Sequence, residues 1–135
     1  MITRPVGAVL LALFLLTRCA GPDGLATVTG QRAHDDYPSA QLLGELSAGV
    51  VGDTVCFVVL DAVTGGRWGL VLPYGWSGTA DGRGMVDPDG AVVAETGGRY
   101  LFGGGQYALE PVWGDCPPVD DLWLTSPVIE TAPEG

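Results

Sequence analysis

Residues 54–72 read TVCFVVLDAVTGGRWGLVL, two apolar runs separated by Thr64-Gly65-Gly66. Glycine adopts the positive φ angles of tight turns without strain, so this tripeptide predicts a hairpin between two strands. The β-branched residues of the first run restrict χ1 and disfavour a helix, whereas they pack well on a pleated strand. We therefore expect a β-hairpin at the centre of the folded domain.

Short apolar runs separated by turn signals continue on both sides of this hairpin. The predicted strands are residues 42–48, 54–61, 67–72, 84–86, 91–95, 100–102 and 122–128. Asp87-Pro88-Asp89-Gly90 predicts a second hairpin turn, between the fourth and the fifth of these strands. Many short strands in a chain of 135 residues with 22 Gly and 10 Pro favour an all-β fold, a small antiparallel barrel or sandwich.

The strand at residues 54–61 is apolar on both sides. Alternate residues of a strand point to opposite faces. Val55, Phe57 and Val59 therefore share one face, while Cys56, Val58 and Leu60 share the other. A strand with one solvated face alternates apolar and polar residues. We therefore expect a cover on the outer face, formed by residues 106–119, by the C-terminal tail or by a partner protein.

The N-terminus has the order of a secretory signal: Arg4, an apolar run over residues 6–16, and a polar end. As a helix, the chain between Arg4 and Arg18 would extend about 20 Å, short of the ~30 Å hydrocarbon core of a membrane. Export with cleavage is therefore favoured over a spanning helix.

Leu16-Thr17-Arg18-Cys19 resembles the lipobox of bacterial lipoproteins, in which the cysteine is acylated. Arg18 departs from the motif, which has Gly, Ala or Ser at that position. The resemblance implies a signal peptide over residues 1–18 and a palmitate-type lipid on Cys19. The protein would then be anchored by this lipid to the outer side of the cell membrane. The alternative is ordinary cleavage near Gly21 or Ala26 and secretion.

The chain has three cysteines, and an exported protein rarely keeps an unpaired thiol. Cys19 is either lipidated or removed, which leaves Cys56 and Cys116 to form a disulfide. Closing a loop of about 60 residues contributes about 4 kcal/mol in the loop-entropy model. A zinc site would need further ligands, and the only histidine, His34, lies in a predicted linker.

Residues 19–39 are rich in Gly, Asp, Thr and Pro and predict a flexible linker. The β-barrel domain is expected over residues 40–130, followed by a tail over 131–135. His34, Asp35 and Asp36 fall in the linker, so we assign them no role.

The net charge is −10, with 16 acidic residues against six arginines and no lysine. Loss of Arg4 and Arg18 with the leader would make it more negative. Phosphate backbones repel such a surface, so nucleic-acid binding is not expected.

No enzymatic constellation is evident in the sequence. The domain lacks a G-x-S-x-G motif, a histidine and a free thiol, so acyl-transfer schemes have neither nucleophile nor base. Two of the three residues Glu45, Glu95 and Glu110 could act as a carboxylate pair of glycosidase type, but nothing forces any two of them together. We expect a non-enzyme without a cofactor.

Asp81, Asp87 and Asp89 stand beside glycines and could present oxygens to calcium. Their spacing matches no EF-hand, and Asp and Gly are the ordinary residues of hairpin turns. We therefore expect no metal site.

Four aromatic residues, Tyr74, Trp76, Trp113 and Trp123, are candidates for ligand contact, because exposed rings bind sugars or partner side chains. A small domain also needs aromatic residues in its core. Tyr74, Trp76 and Trp113 are kept as binding candidates.

A series of short motifs occurs in this chain order: Gly44-Glu45-Leu46, Cys56, Leu72-Pro73-Tyr74-Gly75, Asp89-Gly90, Val92-Val93-Ala94, Gly103-Gly104-Gly105 and Cys116-Pro117. Together these motifs resemble those of a group of small, uncharacterised actinobacterial lipoproteins. The resemblance implies a small β-barrel with a Gly-rich corner, closed by the two cysteines, although the group has Trp where this chain has Leu72. The motifs describe a backbone and imply no functional site.

Two functions fit these features. The first is a non-catalytic interaction module at the cell envelope, tethered to the membrane, that binds a protein or polysaccharide through a barrel face or the loop of Trp76. The second is an inhibitor of, or protection against, a cationic envelope hydrolase, for which residues 107–113 would supply the inserted loop.

Overall fold

The computed structural model describes residues 24–30, 36–107 and 113–133. These residues form nine strands and no helix, so none of them forms a helix that could cross a membrane. The strands are β1 (Ala26–Thr27), β2 (Ala40–Val51), β3 (Thr54–Asp61), β4 (Arg67–Val71), β5 (Ser77–Gly78), β6 (Gly84–Val86), β7 (Val92–Glu95), β8 (Arg99–Gln106) and β9 (Asp121–Thr131). The all-β prediction is confirmed.

Five strands close into a barrel in the order β3-β2-β8-β9-β4, with β4 paired back to β3. The pairings are antiparallel except that of β4 with β9, which is parallel. When the five barrel strands are numbered in chain order (β2, β3, β4, β8, β9), the first pairs with the second and the fourth, and the third runs parallel to the fifth. This is the strand connectivity of the OB-fold, a five-stranded Greek-key barrel.

Strand β2 pairs with both β3 and β8, and this double pairing allows the barrel to close. Its first half pairs with β8 and its second half with β3, and the two registers overlap at Gly44 and Glu45. A Cβ on Gly44 would collide with the backbone carbonyl of Leu60. The close approach of β2 to β3 therefore requires glycine at this position.

The barrel interior is one apolar core, extended by the three-stranded sheet β5-β6-β7. Its buried members are Leu42, Leu46, Val55, Phe57, Val59, Leu70, Leu72, Trp76, Met85, Ala94, Phe102 and Trp123. Met85 and Ala94 belong to the small sheet and are 0% and 2% exposed. The small sheet is therefore packed on the barrel as part of the same domain.

Both predicted hairpin turns are confirmed. Between β3 and β4, the amide of Asp61 donates to Gly66 O (2.8 Å), and Gly65 has a φ of 79°. The Asp61 carboxylate accepts the Val63 amide (2.8 Å), which lowers its pKa. Between β6 and β7, Gly90 has a φ of 91°.

The glycine-rich corner implied by the resemblance is instead part of β8, which continues to Gln106. Gly103 and Gly104 lie at a register shift against β9. Gly104 has a φ of 137°, and a Cβ there would collide with the carbonyl of Leu124. These glycines allow a bulge inside a strand, where the sequence suggested that the strand ends.

The structure also differs from the linker prediction at residues 24–30. Ala26 and Thr27 pair in parallel with Thr54 and Val55 at the start of β3. Leu25 also forms a bridge to Gly78. This segment is therefore part of the folded domain.

Candidate functional site

The outer face of β3 is covered by the connection between β8 and β9. The predicted disulfide between Cys56 and Cys116 is present, with an S–S distance of 2.01 Å and a Cα–Cα distance of 5.8 Å. It holds residues 113–119 against the barrel wall, and Cys56 and Val58 are buried there with Trp113. Of the three predicted covers, the segment between β8 and β9 is therefore the one that the structure shows.

Trp113 is the main side chain of this cover and is 9% exposed. Its Nε1 donates a hydrogen bond to Pro117 O (2.7 Å). A Cβ built on Gly69 would lie 2.7 Å from two carbon atoms of the indole. The ring therefore lies against the bare backbone of β4, at a position where an alanine would displace it.

The position of this cover is informative about function. OB-fold proteins that bind oligonucleotides or oligosaccharides use the face of the second and third barrel strands, which here are β3 and β4. Part of that face is occupied by the chain's own Trp113 and disulfide. The fold alone therefore assigns no such ligand.

Most of the candidate aromatic residues are buried. Trp76 is 8% exposed and lies in the main core, and Trp123 is 5% exposed. Trp123 meets Trp68 edge to face at 5.3 Å and donates from Nε1 to Gly103 O (3.2 Å). Together with the buried Trp113, this leaves Tyr74, at 59% exposed, as the candidate ring that is open to solvent.

Tyr74 lies on a tight turn after β4. The amide of Trp76 donates to Pro73 O (3.2 Å), and Gly75 has a φ of 92°. The turn is fixed at both ends, because Pro73 and Trp76 are buried while Tyr74 and Gly75 are exposed. The ring of Tyr74 is therefore presented on a rigid support.

A groove of about 460 Å³ runs beside this turn, between it and the hairpin that joins β6 to β7. Its walls are glycines, small or apolar residues and one aspartate: Gly24, Gly75, Ser77, Gly78, Thr79, Ala80, Val86, Asp87, Pro88, Gly90 and Val92. Val92 is 50% exposed. The groove is thus an open surface with apolar and polar walls, and Gly75, the residue that follows Tyr74, is one of them.

The aspartates considered for calcium stabilise turns around this groove. Asp87 Oδ1 accepts the amides of Asp89 (2.9 Å) and Ala91 (3.0 Å). The hydroxyl of Thr79 donates to Asp81 (2.6 Å), which lowers the pKa of the Asp81 carboxyl. Among the residues that the structure describes, no three His, Cys, Asp or Glu side chains are grouped as metal ligands.

The remaining candidates contribute no further site within the described ranges. Glu45 on β2 and Glu95 on β7 are both exposed. Cys19, Glu110 and the central part of the predicted inhibitor loop, residues 108–112, lie outside the described residues, as do His34 and Asp35.

Compared with known proteins, the chain matches no family model, no curated protein and no solved structure.

Sequence reasoning did not identify the groove itself. Its walls come from three separate stretches of the chain, at residue 24, at residues 75–80 and at residues 86–92, so no local motif indicates it. The sequence does contain an indication of the position that Trp113 occupies, because Gly69 interrupts an apolar strand. A glycine inside a strand often marks the close approach of another group.

Proposed function

We propose that this chain is an exported lipoprotein, tethered through Cys19 to the outside of the cell membrane, which acts as a non-catalytic interaction module. The Leu16 to Cys19 lipobox and the resemblance to actinobacterial lipoproteins support the tether. The observation that carries the binding role is Tyr74, 59% exposed on a turn whose next residue, Gly75, lines a groove of about 460 Å³. A rigid aromatic residue next to an apolar concave surface is typical of a binding site.

The tether is tested by detergent phase partitioning of the protein from the cells that export it. We expect the native chain in the detergent phase and a Cys19→Ser variant released or left uncleaved. Equal partitioning of the two forms would contradict the lipid anchor.

The binding role is tested by chemical crosslinking in intact cells, followed by purification from detergent extract. We expect Tyr74→Ala to lose the adducts of the native chain. Val63→Ala is the matched control, because Val63 is 83% exposed and lies on the hairpin between β3 and β4, outside the groove. Identical adducts from the native chain and Tyr74→Ala would reject the groove as the binding site.

A second candidate function is inhibition of a cationic envelope hydrolase, which the excess of 16 acidic residues over six arginines favours. If the protein has this function, it should lower the rate of cell-wall lysis by a cationic lysozyme, and the inhibition should weaken as the salt concentration rises. Unchanged lysis rates at low ionic strength would reject it.

A further inference from the structure

Residues 24–30 form a strap that is hydrogen-bonded to one end of the barrel. Leu25 and Gly78 exchange two backbone hydrogen bonds of 2.9 and 2.8 Å, and the amide of Leu72 donates to Val28 O (2.8 Å). The strap also continues the sheet beside the first residues of β3. The domain is therefore fixed to its N-terminal chain from Leu25 onward, only six residues after Cys19.

This short connection limits how far the domain can lie from a lipid on Cys19. A fully extended chain of six residues covers about 20 Å, and any other conformation covers less. The inference rests on the proposed tether. A chain lipidated at Cys19 holds Leu25 within about 20 Å of its lipid attachment point.

The strand register identifies the end of the barrel that faces the membrane. The strap lies beside Thr54, where β3 begins, and β3 then extends to Asp61. At about 3.3 Å per residue, Asp61 is about 23 Å farther along the strand. The hairpin of Val63 is therefore distal, whereas the Tyr74 groove, which Gly24 lines, is next to the tether.

The charges around the groove indicate the partner. Asp81, Asp87 and Asp89 lie on the turns that border it, with Arg83 as the nearby cation. An anionic lipid surface repels such a rim, whereas a cationic protein segment is attracted to it. Val86, Pro88 and Val92 on the hairpin between β6 and β7 give the groove an apolar wall beside Asp87.

We propose that the Tyr74 groove is held close to the membrane and there binds an apolar segment flanked by arginine or lysine on the outer side of an integral membrane protein. The tether restricts the groove to partners near the bilayer, and the acidic rim selects cationic ones.

The orientation is tested with the full chain, lipidated by the cells that export it and reconstituted into phosphatidylcholine–phosphatidylglycerol vesicles that carry an acceptor-labelled lipid. A fluorescent amino acid replaces either Tyr74 or Val63. We expect markedly stronger energy transfer from position 74. Equal transfer, or stronger transfer from position 63, overturns the orientation. Detergent partitioning of the same sample reports separately whether the lipid anchor exists.

A lengthened tether provides the control. A long Gly-Ser insertion between Ala20 and Gly24 leaves the strap intact and should remove the difference between the two positions. A difference that persists after the insertion overturns the argument from chain length.

The partner is tested by a photocrosslinking amino acid at position 74 or 63 in the exporting cells. We expect an adduct with an integral membrane protein from position 74, reduced several-fold in Asp89→Asn and absent from position 63. Adducts with lipid alone, adducts with a soluble envelope protein, or no adduct overturn the proposed partner. An adduct that is insensitive to Asp89→Asn overturns the charge argument.

Discussion

The two faces of β3 are both apolar but are buried in different ways. On the inner face, Val55, Phe57 and Val59 are 0–1% exposed in the barrel core. On the outer face, Cys56 and Val58 are 2% and 7% exposed, and Leu60 is 52% exposed. The inner face is buried by strands from the whole barrel, whereas the outer face is buried only as far as one disulfide-bonded segment extends.

This difference shows how a small domain gains a second layer. Trp113, with Val28, Val51, Cys116, Val119 and Leu122, forms a separate cluster around Cys56 and Val58. A covalent bond holds the segment in place, since an irregular chain without strand pairing has few backbone contacts of its own. We expect substitutions on the two faces to differ in their effects accordingly.

The largest effect is expected for Phe57→Ala on the inner face. Phe57 is 1% exposed, and removal of a buried aromatic side chain costs about 3–5 kcal/mol through lost burial and the cavity left behind. Denaturant unfolding without reductant measures the change. A loss of less than about 1 kcal/mol would contradict the inner face as the main core.

The next effect is expected for removal of the disulfide by Cys56→Ala together with Cys116→Ala. The free energy of unfolding should fall by about 4 kcal/mol in the loop-entropy model. The same loss should follow when the native chain is unfolded in reductant, and the double variant should then be insensitive to reductant. Equal stability of the native chain with and without reductant would contradict this role.

Leu60→Ala should have the smallest effect, because the cover does not reach Leu60. A side chain 52% exposed loses little burial on truncation, so the change should stay within about 0.5 kcal/mol. A loss comparable to that of Phe57→Ala would show that Leu60 is buried in solution, by an oligomer or by a longer cover.

Much of this arrangement could be predicted from the sequence, because it depends on local patterns. The hairpin between β3 and β4 follows from Thr64-Gly65-Gly66, and the disulfide from the parity of the cysteines. The need for a cover follows from the apolar outer face of β3. Which segment forms it could not be predicted, since that depends on how Trp113 fits against Gly69, two positions 44 residues apart in the sequence.

The strap at residues 24–30 was missed for a similar reason. Its strand has two residues, too few for a periodic pattern, and it is held by backbone hydrogen bonds that any sequence can make. Likewise, the bulge in β8 uses glycines that resemble the end of a strand. The sequence does indicate Tyr74 as a binding candidate, but the groove that Gly75 lines is created by tertiary contacts.

The central claim is that the chain's own Trp113 closes the outer face by packing on Gly69, and a double-mutant cycle tests it most directly. In the native background, Gly69→Ala should cost about 1–3 kcal/mol by overpacking, because its Cβ would lie 2.7 Å from the indole. In a Trp113→Ala background the same substitution should cost almost nothing, which gives a coupling free energy above about 1 kcal/mol. Gly49→Ala is the control, since no atom lies within 4 Å of its Cβ position, and its effect should be the same in both backgrounds. Equal costs of Gly69→Ala with and without Trp113 would show that the indole does not pack on β4 and would contradict the account.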